Sequence, residues 1–357
     1  MRVYLITTTI YRPSVLSRYV ELAKRSSCPV TFIVAGDRKT PEDTGSWVKE
    51  NCPDAIYLSP EDQDSYPCSE KLGWDCIMRR NMAILKAIEL SNDNSDIVIS
   101  IDDDNYPLDE DYFDRFINLL TKPYNGLSVR STAGWFNVGD FFSPKFFHRG
   151  FPYGELRETE LTYKIQYAQN EKIGIAAGLW FGDPDIDAMA RITNRPEVKY
   201  MPEVAIKGVI IPSVIHTPTN SQNTAYPIEL APLMAVWPYV GRYDDIWASY
   251  MAQHIMQYFG YLVHFGPPFC LQERNPHNLM KNLKDEIHGM TYTPEFIEVL
   301  DKIDLSEFTW QFSLNSLLKC IDHCIQELYN YKSNIFQLNR TRLFLESWTQ
   351  TIRGIKL

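Results

Sequence analysis

An α/β protein with a Rossmann-like, mostly parallel central sheet and a helical carboxyl-terminal extension is the fold predicted by three observations. Strand and helix patterns alternate through the first hundred residues, and such alternation builds parallel sheets covered by helices. The run Ile97-Val98-Ile99-Ser100-Ile101 reads as a strand buried on both faces, and it ends without a loop on Asp102-Asp103-Asp104. Beyond about residue 290 strand signals give way to amphipathic helical stretches.

The elements follow in order: strands near 3–9, 30–35 and 55–58, with helices near 14–26 and 41–51 between them. A helix over about 74–91 leads to the strand at 96–101. On that helix Ile77, Ile84, Leu85 and Ile88 share one face, so Arg79, Arg80 and Asn81 project toward solvent or toward the ligand edge of the sheet. From 123 to 235 the chain is rich in Gly, Pro and aromatics, with strand candidates at 172–176, 203–206 and 208–215. A helix reads from Trp247 to Phe259. Thr293-Pro294-Glu295 is a helix-start signal, with further stretches at 294–303, 307–331 and 334–352. Residues 1–289 are therefore expected to form the α/β unit and 290–357 the helical region, whose long helices could also pack between subunits of a homo-oligomer.

A chain of 357 residues with 45% hydrophobic residues can bury a large core. Its net charge of -10 argues against a broad nucleic-acid surface or an anionic membrane partner, so a phosphate ligand should be small and enclosed. No stretch reaches the ~20 apolar residues of a membrane span. Seven cysteines without paired CxxC spacing suit a reducing, cytoplasmic setting. Cys320, His323 and Cys324 share a helix side but lack a fourth ligand, and buried thiols are the better reading.

Three adjacent carboxylates at a strand end repel one another unless a cation is shared, and the carboxyl edge of a parallel sheet is where ligands bind. On an extended strand Asp102 and Asp104 point to one side and Asp103 to the other, a geometry for Mg2+ or Mn2+ bridging a diphosphate. The alternative is a solvated acidic turn. Gly36-Asp37-Arg38-Lys39-Thr40-Pro41 follows the second strand, where Asp37 could accept hydrogen bonds from a base or ribose; a polar turn with a helix cap explains it equally. Arg149 and Arg157 bracket Gly150-Phe151-Pro152-Tyr153 and could grip phosphate oxygens, or pair with nearby glutamates. Asp244 and Asp245 could cap a helix or serve as general base and sugar-orienting groups. Asn275-Pro276-His277-Asn278 offers a further metal ligand, and Lys281 and Lys284 offer phosphate contacts, although solvated lysines on a helix face are the better reading of the two.

Taken together these motifs resemble the reversibly glycosylated polypeptides, which include the UDP-arabinopyranose mutases, and their STELLO-type relatives. The 36–41 and 102–105 motifs are closer to the STELLO group. Arg149-Gly150-Phe151-Pro152, Gly178-Leu179-Trp180, Asp183-Pro184-Asp185-Ile186-Asp187, Gly241 to Trp247, Asn275-Pro276 and Asn282-Leu283-Lys284 are closer to the reversibly glycosylated group, over about residues 30–286. The resemblance implies a GT-A fold, a UDP-sugar substrate, and Mn2+ or Mg2+ held by the Asp triplet. It assigns reversible glycosylation to Arg149 and a second arginine to Arg157, here one residue further along. The family's histidine before Asn-Pro falls near Cys270, leaving His264 and His277 as candidates for the last metal ligand. The site expected is thus Arg149, Arg157, Asp244 and Asp245 for catalysis; Asp37, Lys39, Arg79, Arg80, Asp102, Asp103 and Trp180 for substrate; and Asp102, Asp104 and His277 for metal. The activity expected is ring interconversion of a UDP-sugar with self-glycosylation. Alternatives are glycosyl transfer to a carbohydrate, lipid or protein acceptor, and a non-catalytic nucleotide-sugar-binding scaffold.

Overall fold

The computed structural model describes residues 1–331 and 339–356. Its strands are β1 (Val3–Thr8), β2 (Val30–Ala35), β3 (Ile56–Leu58), β4 (Ile97–Ile101), β5 (Asn105–Pro107), β6 (Tyr124–Ser131), β7 (Tyr163–Gly182), β8 (Val209–Ile211), β9 (Asn223–Pro227) and β10 (Tyr261–Gln272). The first helices are α1 (Leu16–Ala23), α2 (Thr44–Asn51), α3 (Pro60–Gln63), α4 (Arg80–Leu90), α5 (Tyr112–Thr121) and α6 (Glu155–Glu158). They are followed by α7 (Ala188–Thr193), α8 (Glu203–Lys207), α9 (Asp244–Tyr258), α10 (Leu279–Leu300), α11 (Leu314–Asn330) and α12 (Asn339–Lys356).

The strands form one ten-stranded sheet in the order β3-β2-β1-β4-β9-β7-β6-β8-β10-β5, with β7 also paired to β10. The amino-terminal half is parallel: Val3 faces Val30 on one side and Ile97 on the other. Beyond β4 the sheet is mixed, because β9 enters between β4 and β7 antiparallel to both. The apolar runs are explained by burial on two faces. Tyr4, Ile6 and Val98 pack with α4 and α9 in one core, whereas Val3, Leu5, Ile97, Ile99 and Ile101 pack with α1 and α5 in the other.

Several sequence expectations are corrected. Residues 203–206 are helical rather than extended, since Pro202 starts a turn whose carbonyl accepts from the N–H groups of Ala205 and Ile206. The strand expected at 172–176 extends over all of β7, paired first with β6 and then with β10. Thr293-Pro294 does not start a helix. α10 begins at Leu279, capped by Asn278, whose Oδ1 accepts from Lys281 N–H at 3.0 Å, and runs on through Pro294. Tertiary packing holds it together there: Trp247 stacks on Phe296 at 4.7 Å and donates to Thr293 Oγ1 at 3.0 Å. The chain therefore passes from the sheet into the helical region within α10. Residues 334–338 of the last expected helix lie outside the described residues; α12 covers the remainder.

The carboxyl-terminal helices pack back on the chain: Trp348 donates to Pro232 O at 2.9 Å and Thr341 to Pro238 O at 2.7 Å. Cys320 and Cys324 are buried in α11, and His323 lies 3.7 Å from Glu307. All seven cysteines are free. Among the described residues no helix is long and apolar enough to cross a membrane.

Candidate active site

The carboxyl ends of β1, β4, β7 and β10 open on one edge of the sheet, because these strands run in the same direction. β9, running the other way, brings Ser221 and Gln222 to that edge with its start. Helices that precede parallel strands begin there too, which delivers Arg80 at the start of α4 and Asp244 and Asp245 in the first turn of α9. The result is a cleft of about 360 Å³ whose lining includes Thr9, Arg80, Asp102, Asp103, Asp104, Arg149, Ser221, Gln222, Arg242, Asp244, Asp245, Arg274, Asn275 and His277.

The acid triplet is a turn, not an extended strand end. Asn105 N–H donates to Asp102 O at 3.3 Å and Asn105 Oδ1 accepts from Asp102 N–H at 3.3 Å, so all three acids face the cleft instead of alternating sides. Asp102 Oδ1 pairs with the buried Arg80 guanidinium, which also donates to Ser221 O at 2.9 Å and Ile101 O at 3.1 Å. Asp103 accepts from Thr9 Oγ1. Asp104 accepts from Gln272 Nε2 at 2.7 Å and Asn275 N–H at 3.2 Å, both neutral donors. Burial, followed by the charge of Asp102, pushes the Asp104 carboxyl up to about 6, and burial also raises Asp103.

Arg149 is enclosed between two carboxylates. Its Nε and Nη2 bond Asp185 at 2.9 and 3.0 Å, Nη1 lies 3.1 Å from Asp245 Oδ1, and Nη1 also donates to Arg242 O. Burial opposes the charge on Arg149, but Asp185 and Asp245 outweigh it and keep the guanidinium protonated. Burial likewise works against ionisation of Asp185 and Asp245, and Arg149 holds both below the usual carboxylate value. Among the described residues Asp244 has no such ion-pair partner. Its Oδ1 accepts Asp245 N–H at 2.9 Å, and burial plus the adjacent Asp245 charge push it up to about 7. Gly241 makes this placement feasible: its φ is +65°, and a Cβ there would lie 1.9 Å from Asp285 O.

Further cations line the cleft. Arg242 Nε pairs with Glu286 at 2.9 Å. Arg274 lies 3.6 Å from Asp183, with its side chain 8% exposed. His277 is at the exposed rim, and burial of its ring together with Arg242 and Arg274 lowers it to about 4, leaving a neutral imidazole.

Other expected residues lie outside the lining. Asp37 is buried and ties down the neighbouring turn, accepting from Asp75 N–H at 2.7 Å and Cys76 N–H at 3.1 Å. Lys39 is exposed and pairs with Asp75 at 3.2 Å. Arg79 turns away from Arg80 into the 63–74 loop, donating to Gly73 O and Ser69 Oγ at 2.8 Å under the Trp74 ring. Arg157 stacks on Tyr153 and donates to Phe151 O at 2.8 Å and Asp187 at 3.1 Å. Trp180 is buried against His148, while His264 lies in β10 beside Tyr124. Conversely, the sequence reading did not select Arg242, Arg274, Ser221 or Thr9. For Arg274 a signal existed: a charged residue just past the end of a strand, β10, that runs in the same direction as the acid-tipped β4.

The model of the family described as reversibly glycosylated polypeptide matches residues 91–351. Among curated proteins, the chain is 28% identical over 220 residues to a probable UDP-arabinopyranose mutase 4 of Arabidopsis thaliana, covering 59% of this chain and 56% of that one. It is 25% identical over 261 residues to UDP-arabinopyranose mutase 2 of the same plant, covering 71% and 68%. The chain spans little more than half the length of the first of these relatives. With a match across most of its length, and with the acid turn, Arg149 and the Asp244-Asp245 pair gathered in one cleft, this chain belongs to the reversibly glycosylated polypeptide family.

Proposed function

We propose that this protein is a metal-dependent UDP-sugar enzyme that interconverts the pyranose and furanose rings of a UDP-pentose such as UDP-arabinopyranose. The observation that carries the reading is one cleft in which Asp102, Asp103 and Asp104 share a lining with Arg149, Asp244 and Asp245. Family membership and the mutase names of its relatives support it.

Asp102 and Asp104 would hold Mn2+ or Mg2+. Their oxygens suit hard cations, and Asp104 is met only by neutral donors. Among the described residues no three His, Cys, Asp or Glu side chains form a ready cage, so diphosphate oxygens and water would complete the shell, with His277 at the rim as a further donor. When bound, the ion would offset negative charge on the departing diphosphate.

The remaining chemistry belongs to the second cluster. Loss of the diphosphate leaves positive charge at the anomeric carbon, and a carboxylate kept ionised beside it, as Asp245 is by Arg149, stabilises that charge. Asp244, near 7, is suited to exchange a proton with a sugar hydroxyl during ring opening and reclosure. Arg149 is protonated and engaged through all three nitrogens, which suits it to hold Asp185 and Asp245 in place; bonding to a sugar would first require it to give up a proton.

Incubation with UDP-arabinopyranose and Mn2+, without acceptor, is expected to yield the furanose nucleotide, resolved by chromatography. Asp104→Ala is expected to abolish the Mn2+ dependence of UDP affinity. Bound UDP-arabinopyranose that never isomerises would remove the mutase reading, and transfer of its sugar to an added glycan would replace it with a transferase.

A further inference from the structure

Arg274 is a buried cation for which the chain supplies too little negative charge. Its Nε and Nη2 are sealed from solvent and have no hydrogen-bond partner among the described residues. The nearest carboxylate, Asp183, stands 3.6 Å from Nε, and it is already taken by Arg191 and, at 3.2 Å, by Arg195. Asp185, the next acid, is committed to Arg149. Three guanidiniums thus surround one available carboxylate. A buried charge left in this state costs stability, and native chains seldom keep one without a use.

Its position indicates that use. Arg274 lines the cleft together with the acid turn. The residues on either side of it are bonded to that turn: Glu273 N–H donates to Asp104 O at 3.2 Å and Asn275 N–H to Asp104 Oδ2 at 3.2 Å. The guanidinium therefore stands between the acids proposed to hold the diphosphate through a cation and the Arg149 cluster proposed to face the sugar. The charge matches that of phosphate oxygens.

We infer that Arg274 is a diphosphate-binding residue, its under-neutralised charge at the cleft balanced by oxygens of the nucleotide's diphosphate. The inference rests on the UDP-sugar reading above and adds a residue to it. The group would also counter the negative charge that builds on the diphosphate as the glycosidic bond breaks.

The test is equilibrium binding of UDP, uridine and inorganic pyrophosphate to the full chain and to Arg274→Gln and Arg274→Lys, with melting curves for each. Wild type should bind UDP more tightly than uridine. Arg274→Gln should weaken UDP and pyrophosphate by roughly 10- to 100-fold, the worth of a charged hydrogen-bond pair, and leave uridine unchanged, with Arg274→Lys intermediate. The melting temperature of Arg274→Gln should not fall, because an unpartnered charge is being removed. An unchanged UDP-to-uridine ratio in Arg274→Gln overturns the inference, as does a ratio lost together with a lowered melting temperature in both variants. Pyrophosphate binding that needs Arg274, with no preference of the wild type for UDP over pyrophosphate, keeps the anion site and instead sinks the UDP-sugar reading. A wild type that binds neither UDP nor pyrophosphate overturns both.

Discussion

Replacing Asp244 by Asn should make the protein more stable at neutral pH, by an amount that grows with pH. Three carboxylates, Asp185, Asp244 and Asp245, stand near Arg149, and of these three it bonds Asp185 and Asp245. Asp244 is pushed from an ordinary 3.8 to about 7 by burial and by the charge of Asp245. Below pH 4 the acid is protonated in both the folded and unfolded chains. As pH rises the unfolded chain releases the proton first, so folded stability falls until the folded acid ionises near 7, and then levels off. At about 1.4 kcal/mol per unit, the two units between pH 5 and 7 amount to roughly 3 kcal/mol. Asn keeps the Oδ1 acceptor for Asp245 N–H and does not titrate, so Asp244→Asn escapes this loss. For 357 residues the unfolding entropy is roughly 0.7 kcal/mol per kelvin, so the melting temperatures should diverge by about 4 °C from pH 5 to pH 8. Differential scanning calorimetry of both proteins across that range measures it. Melting curves that move in parallel would refute the reasoning, since Asp244 would then ionise as a solvated acid does.

Arg149→Met should destabilise the fold by about 3–5 kcal/mol in urea titrations at pH 7, because it strands Asp185 and Asp245 as buried charges; Arg149→Lys should recover only part, one ammonium being unable to serve both acids bidentately. Gly241→Ala should cost at least about 2 kcal/mol and lower UDP-sugar turnover together with stability, since a positive φ and a 1.9 Å clash with Asp285 O would shift α9 against α10.

Much of the architecture was legible because periodicity reports burial directly. The strands at 3–8, 30–35 and 97–101, the helices between them and the acids at the edge all follow from which residues must leave water. The misreading at Pro294 occurs where a local signal was overruled from elsewhere in the chain. Pro294 lacks an N–H and reads as a helix start, yet Trp247 and Tyr243 pack against α10 on both sides of that point and carry the helix through.

The sequence by itself determined that Asp102, Asp103 and Asp104 stand at the carboxyl edge of the sheet, because the doubly buried strand before them must leave the core where its apolar run ends. Only the tertiary structure decided which cations join them. Arg79 and Arg80 are neighbours in sequence, yet one is folded beneath Trp74 and the other reaches Asp102. Arg149 finds its carboxylates 36 and 96 residues away, and Arg274 finds too few. A guanidinium sits at the end of a long side chain, so its partners are set by which distant strands and helices end beside it, and pairing across the sheet is information that no local pattern carries.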